Sequence, residues 1–304
     1  YSIAIYLDLS LYLFCSQLKK KSSIVLKRIR LPFFFLDVKE VRKLITQTTM
    51  HEVKRPTPAR LAFHDADLWI LSAPKARYAS YRADPQLQAL HANFPMIPNT
   101  DDHEGANDSW EGGAQNHTPD EGDWSVRRNA AMQVWREWLP VGEQPWKTYE
   151  IGDLATYFRT DTRMVARSKP AWAGDLMRAA DPAKALAEFR DGAWRDPSST
   201  MFGTEQESWL FHQFARSRAT WSVLGVGTNM GYNYTPDEAL NWFGPDVPDY
   251  RKNFMRQGIA AAKAGLPYNF DNWGGYPVAR SRVFAAAQKN DLNLVVVSGD
   301  SHNS

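Results

Sequence analysis

Apolar side chains from residue 125 onward alternate between helical and strand spacing. Residues 125–138 and 205–217 repeat apolar positions every three or four residues, which predicts two amphipathic helices. The short apolar run at 221–227 predicts a strand, and a helix at 280–289 is followed by a strand at 292–300. This order of elements predicts a mixed α/β domain.

A further helix is predicted within residues 76–93, beginning after Asp84 and Pro85. Aspartate accepts hydrogen bonds from the unpaired N–H groups of a first helical turn, and proline has a backbone angle that suits this turn. This helix and the helix at 125–138 flank the stretch NTDDHEGANDSWEGG, residues 99–113.

That stretch carries four ionisable residues in succession, from Asp101 to Glu104, between Pro98 and a glycine-rich run. Adjacent aspartates repel each other unless water screens them or a positive charge lies near. A solvated turn or a helix cap is the simpler interpretation of such a loop taken alone. A metal ion would offset the repulsion more effectively.

A second cluster of polar residues follows the last predicted strand. The run of branched apolar residues predicts a strand that is buried on both faces, and ligands of such sheets gather past the carboxyl ends of the strands. Asp300 and His302 lie there, two residues apart, so in an extended chain both side chains point to the same side. A carboxylate and an imidazole together suit a transition metal or a pair of hard or borderline ions.

Composition changes abruptly near residue 50. Residues 1–50 hold nine Lys and Arg against three acidic residues, a net charge of +6, whereas residues 51–304 hold 27 against 31, a net charge of −4. All 18 Gly and all 12 Trp follow residue 50. We therefore interpret 1–50 as a compositionally distinct segment, foreign or mistranslated, joined to a globular domain at 51–304.

Other interpretations of this basic segment stay open. Residues 1–18 are mostly apolar and precede three lysines, but Asp8 interrupts them and the basic residues follow, which is the wrong polarity for a signal peptide. A membrane anchor with a basic flank is an alternative. The single cysteine, Cys15, excludes an internal disulfide.

Several motifs between about residue 60 and residue 304 occur in an order that resembles the alkaline phosphatase D (PhoD-like) family of metallophosphoesterases. The matching stretches are YASYRADPQLQALHANFPMI, DDHEGANDSWEGGAQNH, EGDWSVRRNAA, REWLPV, FRTDTRMVARSK, GTEQESWLFHQF, NWGGYPVARSRV and VVVSGDSHNS. The resemblance implies an α/β fold with a metallophosphatase-like sandwich of two sheets and flanking helices. It also implies a phosphate-ester substrate, with a dinuclear site that most often holds iron and calcium.

Site residues follow from matching this chain to the family pattern. The resemblance implies that Asp102, Asp300 and His302 are metal ligands, and that His103 contacts the phosphate and protonates the leaving oxygen. A dinuclear centre generates a nucleophile from water and stabilises both the attacking and leaving oxygens. Asn107 and Tyr276 are predicted to line the substrate cleft, although packing roles in their loops are an equal alternative.

The chain also departs from the family pattern. HDADLWI, residues 64–70, resembles the approach to a Gly-Asp turn followed by a tyrosine, whose aspartate bridges both metals, but that turn is missing. We therefore expect a domain truncated at both ends, with the N-terminal part of its sandwich incomplete. Such a chain is expected to bind at most one metal weakly and to hydrolyse phosphate esters slowly.

Three hypotheses for function result. The first is a phosphatase or phosphodiesterase, monomeric, and periplasmic or secreted as in the family, with no nucleic-acid or stable membrane partner. The second is a non-catalytic fragment or chimera of such an enzyme. The third, from another class, is a membrane-anchored or nucleic-acid-binding module that uses the cations of residues 1–50.

Overall fold

A computed structural model of the chain describes residues 66–139 and 141–300, with side chains from residue 74 onward. The chain divides into two compact units. The described part of the first comprises residues 98–129 and 141–300, and that of the second comprises residues 66–97 and 130–139. The predicted boundary at residue 50 and the basic segment lie outside the described residues.

The first unit is built on a four-stranded mixed sheet. Its strands are β1 (Lys147–Ile151), β2 (Ala155–Arg159), β3 (Trp221–Val226) and β4 (Leu294–Ser298), and they are adjacent in that order. β1 pairs with β2 in antiparallel orientation, whereas the pairs β2–β3 and β3–β4 are parallel. The α/β class is confirmed, and the described residues contain this one sheet of the expected sandwich.

Helices occur in both units. Their bounds are α1 Ala66–Arg82, α2 Pro85–Asn93, α3 Trp124–Trp138, α4 Ala173–Met177, α5 Pro182–Asp191, α6 Gly203–Arg216, α7 Asp249–Lys263 and α8 Pro277–Lys289. Short 3-10 turns occur at Pro119–Glu121, Ala193–Arg195, Asp237–Trp242 and Trp273–Gly275. None of the helices in the described ranges combines the length and the apolar character that crossing a bilayer requires.

Helix α2 begins as the sequence predicts. The Oδ1 atom of Asp84 accepts hydrogen bonds from the backbone N–H groups of Gln86 at 2.8 Å and Leu87 at 3.0 Å, and Pro85 occupies the first turn. These bonds satisfy donors that the helix itself cannot pair, so the cap fixes where the helix starts.

The main core lies where α6 and α8 cover the sheet. Phe214 of α6 packs edge-on against Phe158 of β2, with ring centroids 5.1 Å apart. Val283 of α8 and Leu224 of β3 are completely buried in the same cluster. β3 is buried along residues 222–226, which explains why it is mostly apolar.

A second buried cluster joins α5, α7 and the loop that follows α7. Its buried members are Leu186, Trp194, Ala261, Leu266 and Phe270. The rings of Phe189 and Phe270 lie 5.0 Å apart at their centroids. Because Phe270 is anchored here, the position of the next residue along the chain, Asp271, is fixed as well.

The centre of the sheet is joined to the start of the acidic loop. Tyr157 of β2 is buried, and its hydroxyl donates a hydrogen bond to the Oδ1 atom of Asn99 at 3.2 Å. This hydroxyl lies against Gly225 of β3, where a Cβ atom would overlap it. Glycine is therefore required at residue 225 for the tyrosine to reach the loop.

We predict that Gly225→Ala lowers the free energy of unfolding by about 1–3 kcal/mol, the usual cost of forcing extra volume into a packed interior. Chemical denaturation of the purified chain measures this change. Gly244→Ala is the matched control, because Gly244 is exposed and an added Cβ meets nothing within 4 Å. Equal stability of the two variants would contradict the role given to Gly225.

Candidate metal and phosphate site

The candidate site lies at the carboxyl ends of the three parallel strands. β2 runs into Thr160–Arg163, β3 into Gly227, and β4 into Gly299 and Asp300. The acidic loop that starts at Asn99 reaches the same edge of the sheet. Loops at this edge of a parallel sheet are the usual location of ligands in α/β proteins.

Asp161 fixes the loop that follows β2. Its Oδ1 atom accepts hydrogen bonds from the backbone N–H groups of Arg163, Met164 and Val165, at 3.0, 2.8 and 3.1 Å. Its Oδ2 atom accepts a hydrogen bond from the hydroxyl of Thr100 at 3.0 Å. One buried carboxylate therefore sets the backbone of Arg163 and connects it to the acidic loop.

Gly227 allows three segments to meet. A Cβ atom at this position would lie 2.6 Å from the Thr162 hydroxyl oxygen and 3.1 Å from the Oδ1 atom of Asp101. The backbone N–H of Gly227 donates to that hydroxyl, and its carbonyl accepts a hydrogen bond from the N–H of Gly299 at 3.3 Å. The absence of a side chain lets the end of β3 approach both the acidic loop and the residues after β4.

The acidic loop is held by its own backbone. The carbonyl of Asp102 accepts hydrogen bonds from the N–H groups of Gly105 and Ala106, both at 2.9 Å. The Oδ2 atom of Asp102 accepts a hydrogen bond from the N–H of Asp108 at 2.8 Å, and Asp108 takes a left-handed backbone with φ of 50°. These bonds orient the Asp102 carboxylate, which is buried.

Three carboxylates converge at this edge. One oxygen atom from each of Asp101, Asp102 and Asp300 lies within 4.8 Å of the others. Asp300 also has a left-handed backbone, with φ of 72°. Bringing three like charges this close is unfavourable unless protons or cations offset them.

Arg163 supplies part of that offset. Its guanidinium is completely buried; Nε donates to the Oδ1 atom of Asp101 at 2.8 Å, and Nη2 lies 3.6 Å from the Oδ2 atom of Asp300. Nη2 has no hydrogen-bond partner among the described residues. A buried arginine therefore extends a donor into the carboxylate cluster without using it in a hydrogen bond.

Burial is the main influence on the acidity of the cluster. It raises the pKa of Asp101 to about 8, and the neighbouring carboxylates of Asp102, Asp300 and Glu104 act in the same direction, against the lowering effect of Arg163. Burial also raises the pKa of Asp108 to about 7, with Asp271 and Asp102 adding to the shift. The environments of Asp101 and Asp108 therefore disfavour a further negative charge.

This donor set fits a cation. Carboxylate oxygens are the preferred ligands of hard cations such as Ca²⁺, and they also bind iron. Three such oxygens converge, one of them on a carboxylate oriented by a backbone N–H. Asp101, Asp102 and Asp300 are therefore the residues of the described chain that could hold a metal ion.

Comparison with known proteins identifies the family of this chain. The sequence model of the PhoD-like phosphatase family matches residues 43–304. The chain belongs to this family. The family resemblance stated from the motifs is thus confirmed.

Two relatives show how far the similarity extends. Alkaline phosphatase D of Bacillus subtilis (strain 168) is 28% identical over 255 residues, which is 79% of this chain and 36% of the relative. A solved structure of PhoD superposes with a TM-score of 0.54 and 26% identity, covering 76% of this chain and 39% of that one. The chain therefore spans less than half the length of these two relatives.

The structure brings together some of the predicted site residues. Asp102 and Asp300 converge, and Asp101, which the prediction had not included among the ligands, joins them. His103 is largely exposed, with Nε2 4.0 Å from the Oδ2 atom of Asp102. His302 lies outside the described residues. The ligand and acid roles of these residues stay predictions.

The two predicted substrate residues already have protein partners. The side-chain amide of Asn107 donates to the Oε1 atom of Gln115 at 2.6 Å. Tyr276 is buried, and its hydroxyl donates to the carbonyl of Ser168 at 2.7 Å while it accepts from Nε of Arg167 at 3.0 Å. These contacts match the packing alternative, and substrate contact by either residue stays a prediction.

Sequence reasoning did not identify Arg163 and Asp271 as part of this site. The motif FRTDTRMVARSK contains Arg163, but an arginine in a polar stretch is usually solvated. Arg163 follows β2 at the same sheet edge as Asp300, but ATYFR has no clear strand period, so the sequence held no signal that places the arginine there.

We predict that the affinity for Ca²⁺ rises as the pH increases from 6 to 8 and then levels off. Below its pKa of about 8, Asp101 is mostly protonated, so a cation must displace a proton; above that pKa it does not. Titration calorimetry in buffers with different heats of ionisation measures both the affinity and the number of protons released.

Asp101→Asn should weaken Ca²⁺ binding and flatten its pH dependence. Asp246→Asn, which changes an exposed aspartate, is the control for loss of one negative charge. An affinity for Ca²⁺ that is independent of pH in the unsubstituted chain would contradict the placement of Asp101 in the cation site.

Proposed function

We propose that this chain is the catalytic part of a metal-dependent hydrolase of phosphate monoesters and diesters. The observation that carries the proposal is the convergence of the Asp101, Asp102 and Asp300 carboxylates on a buried arginine donor, at the carboxyl ends of three parallel strands. Membership of the PhoD-like phosphatase family supports the same reaction class.

The three aspartates would hold the metal, with His302 as a further predicted ligand. Iron and calcium are the proposed metals, as the family resemblance implies. When bound, a metal of this kind lowers the pKa of a coordinated water and polarises a phosphoryl oxygen. Before any cation binds, the cluster is stabilised in part by protons, since the pKa of Asp101 is about 8.

Arg163 would bind the phosphoryl group. Its Nη2 atom is buried, lacks a hydrogen-bond partner among the described residues, and lies 3.6 Å from the Oδ2 atom of Asp300. An unused guanidinium donor beside a cation site is suited to a phosphate oxygen, which accepts charge-assisted hydrogen bonds from arginine. The arginine would thereby orient the substrate and offset charge on its phosphorus-bound oxygens.

His103 would transfer a proton to the leaving oxygen. Its side chain is 72% exposed and lies beside the oriented Asp102 carboxylate, with a separation of 4.0 Å between Nε2 and Oδ2. The ring can therefore meet a substrate that enters from solvent. An imidazole near a carboxylate is an effective acid and base at neutral pH.

The family resemblance also leads us to propose the substrate class, the oligomeric state and the location. The natural substrate is proposed to be a phosphate ester, the chain to act as a monomer, and its location to be periplasmic or secreted. Reduced activity caused by the missing Gly-Asp turn is also proposed, because a shared bridging carboxylate is what offsets the repulsion between two metals. The non-catalytic alternative predicts no turnover with any metal.

Hydrolysis of p-nitrophenyl phosphate and bis-p-nitrophenyl phosphate, with added iron and calcium, tests the function. We expect metal-dependent turnover that His103→Ala lowers by a factor of about 10² to 10⁴, the usual contribution of a positioned acid. His212→Ala is the matched control, because His212 is an exposed histidine on α6.

Asp102→Asn distinguishes the role of the metal site from the role of His103 as an acid. It should reduce both turnover and Ca²⁺ affinity, whereas His103→Ala should reduce turnover alone. Absence of turnover in the unsubstituted chain with every metal tried, together with retained folding, would favour the non-catalytic alternative.

A further inference from the structure

A buried ion network lies beneath the carboxylate cluster. Nη1 of Arg163 donates to the Oδ2 atom of Asp271 at 2.5 Å, and Nη2 of Arg167 donates to its Oδ1 atom at 2.7 Å. Both guanidinium groups are completely buried, and the Asp271 side chain is 4% exposed. Asp271 therefore joins two buried arginines by using both oxygens of one carboxylate.

The two arginines of this network differ in their further contacts. Asp271 is held in place by the packing of Phe270 and by Arg167, whose Nη1 donates to the carbonyl of Ser109 and whose Nε donates to the Tyr276 hydroxyl. Arg163, in contrast, extends from Asp271 toward the cluster, where its Nε meets Asp101. Asp271 is thus the fixed end of the arrangement, and the Nη2 atom of Arg163 is the end that faces the site.

We propose that Asp271 is a positioning residue, which orients Arg163 so that its Nη2 atom can bind a phosphoryl oxygen. The inference rests on the function proposed above. Asp271 bonds the two buried arginines, and its effect on the substrate acts through Arg163.

Chemistry explains why an aspartate is needed at residue 271. A carboxylate has two acceptor oxygens and can receive an N–H from each arginine, whereas the amide of asparagine has one acceptor oxygen and an NH₂ group that would face a second donor. In Asp271→Asn the two arginines therefore compete for one side-chain acceptor, although Arg167 also donates to the backbone carbonyl of residue 271. When Arg163 lacks this acceptor, it keeps its bond to Asp101 but loses the contact that fixes its far end.

The direction of the change in phosphate affinity distinguishes the loss of orientation of Arg163 from the loss of one negative charge. Asp271→Asn removes one negative charge near the site, and by Coulomb's law alone this change should tighten the binding of an anion. Loss of the orientation of Arg163 should weaken it instead. A role confined to stability would leave the affinity of the folded protein for phosphate unchanged.

The test is equilibrium dialysis of micromolar radiolabelled inorganic phosphate against the full chain in the presence of Ca²⁺. We expect Asp271→Asn to raise the dissociation constant for phosphate at least about tenfold, the equivalent of one charge-assisted hydrogen bond. Ca²⁺ affinity, measured separately by calorimetry, should change less. Glu207→Gln is the matched control, because Glu207 forms a two-bond ion pair with Arg282, between α6 and α8.

Asp271→Asn can also destabilise the protein, because two buried guanidinium groups then share one side-chain acceptor. Asp271→Leu combined with Arg167→Met removes both charges of that pair and leaves Arg163 with no side-chain acceptor at residue 271, and we expect the same loss of phosphate affinity. An affinity equal to that of the unsubstituted chain, or tighter, in this folded double variant overturns the proposal. Loss of folding in both variants also overturns it, because Asp271 would then support the whole unit rather than one side chain.

The outcomes separate this inference from the proposed function. If the unsubstituted chain binds no phosphate in the presence of Ca²⁺, the proposed function fails first. If it binds phosphate, and the Asp271→Leu, Arg167→Met double variant binds it equally well, the function stands and the positioning role is rejected.

Discussion

Repulsion among the carboxylates of Asp101, Asp102 and Asp300 is the constraint on which the site depends. The backbone brings these groups within 4.8 Å of one another, and burial removes much of the water that would screen them. Arg163 offsets part of the charge, whereas burial and the neighbouring carboxylates raise the pKa of Asp101. A cation would offset the repulsion among the three carboxylates, and this repulsion therefore gives the cluster affinity for a cation.

Arg163 imposes the complementary constraint. A guanidinium buried this completely must be paired, since an isolated buried charge costs several kcal/mol or more. It is paired with Asp101 of the acidic loop, with Asp271 of the loop after α7 and with Asp300 of the segment after β4. These three segments are distant in the sequence, so the arginine makes the position of each depend on the others, within the first unit.

The sequence predicts which edge of the sheet carries the site, but it identifies only some of the residues there. β3 and β4 are apolar runs that stand out, and the glycine and aspartate after β4 identify the edge where Asp102 and Asp300 converge. β1 and β2 were not predicted, because KTYEI and ATYFR mix polar and apolar residues without a clear period. Since β2 was missed, the residues that follow it, including Arg163, could not be placed at the same edge.

The role of Asp271 is even harder to predict from the sequence, for a physical reason. Its role depends on two arginines 104 and 108 positions away, and neither local spacing nor a strand end indicates such a contact. What the sequence does show is an aromatic-rich loop, YNFDNWGGY, and a buried aromatic such as Phe270 is what holds the aspartate in place. Packing of apolar side chains and pairing of buried charges are thus joined at adjacent residues, so the hydrophobic cluster under α5 and α7 determines where the guanidinium of Arg163 can point.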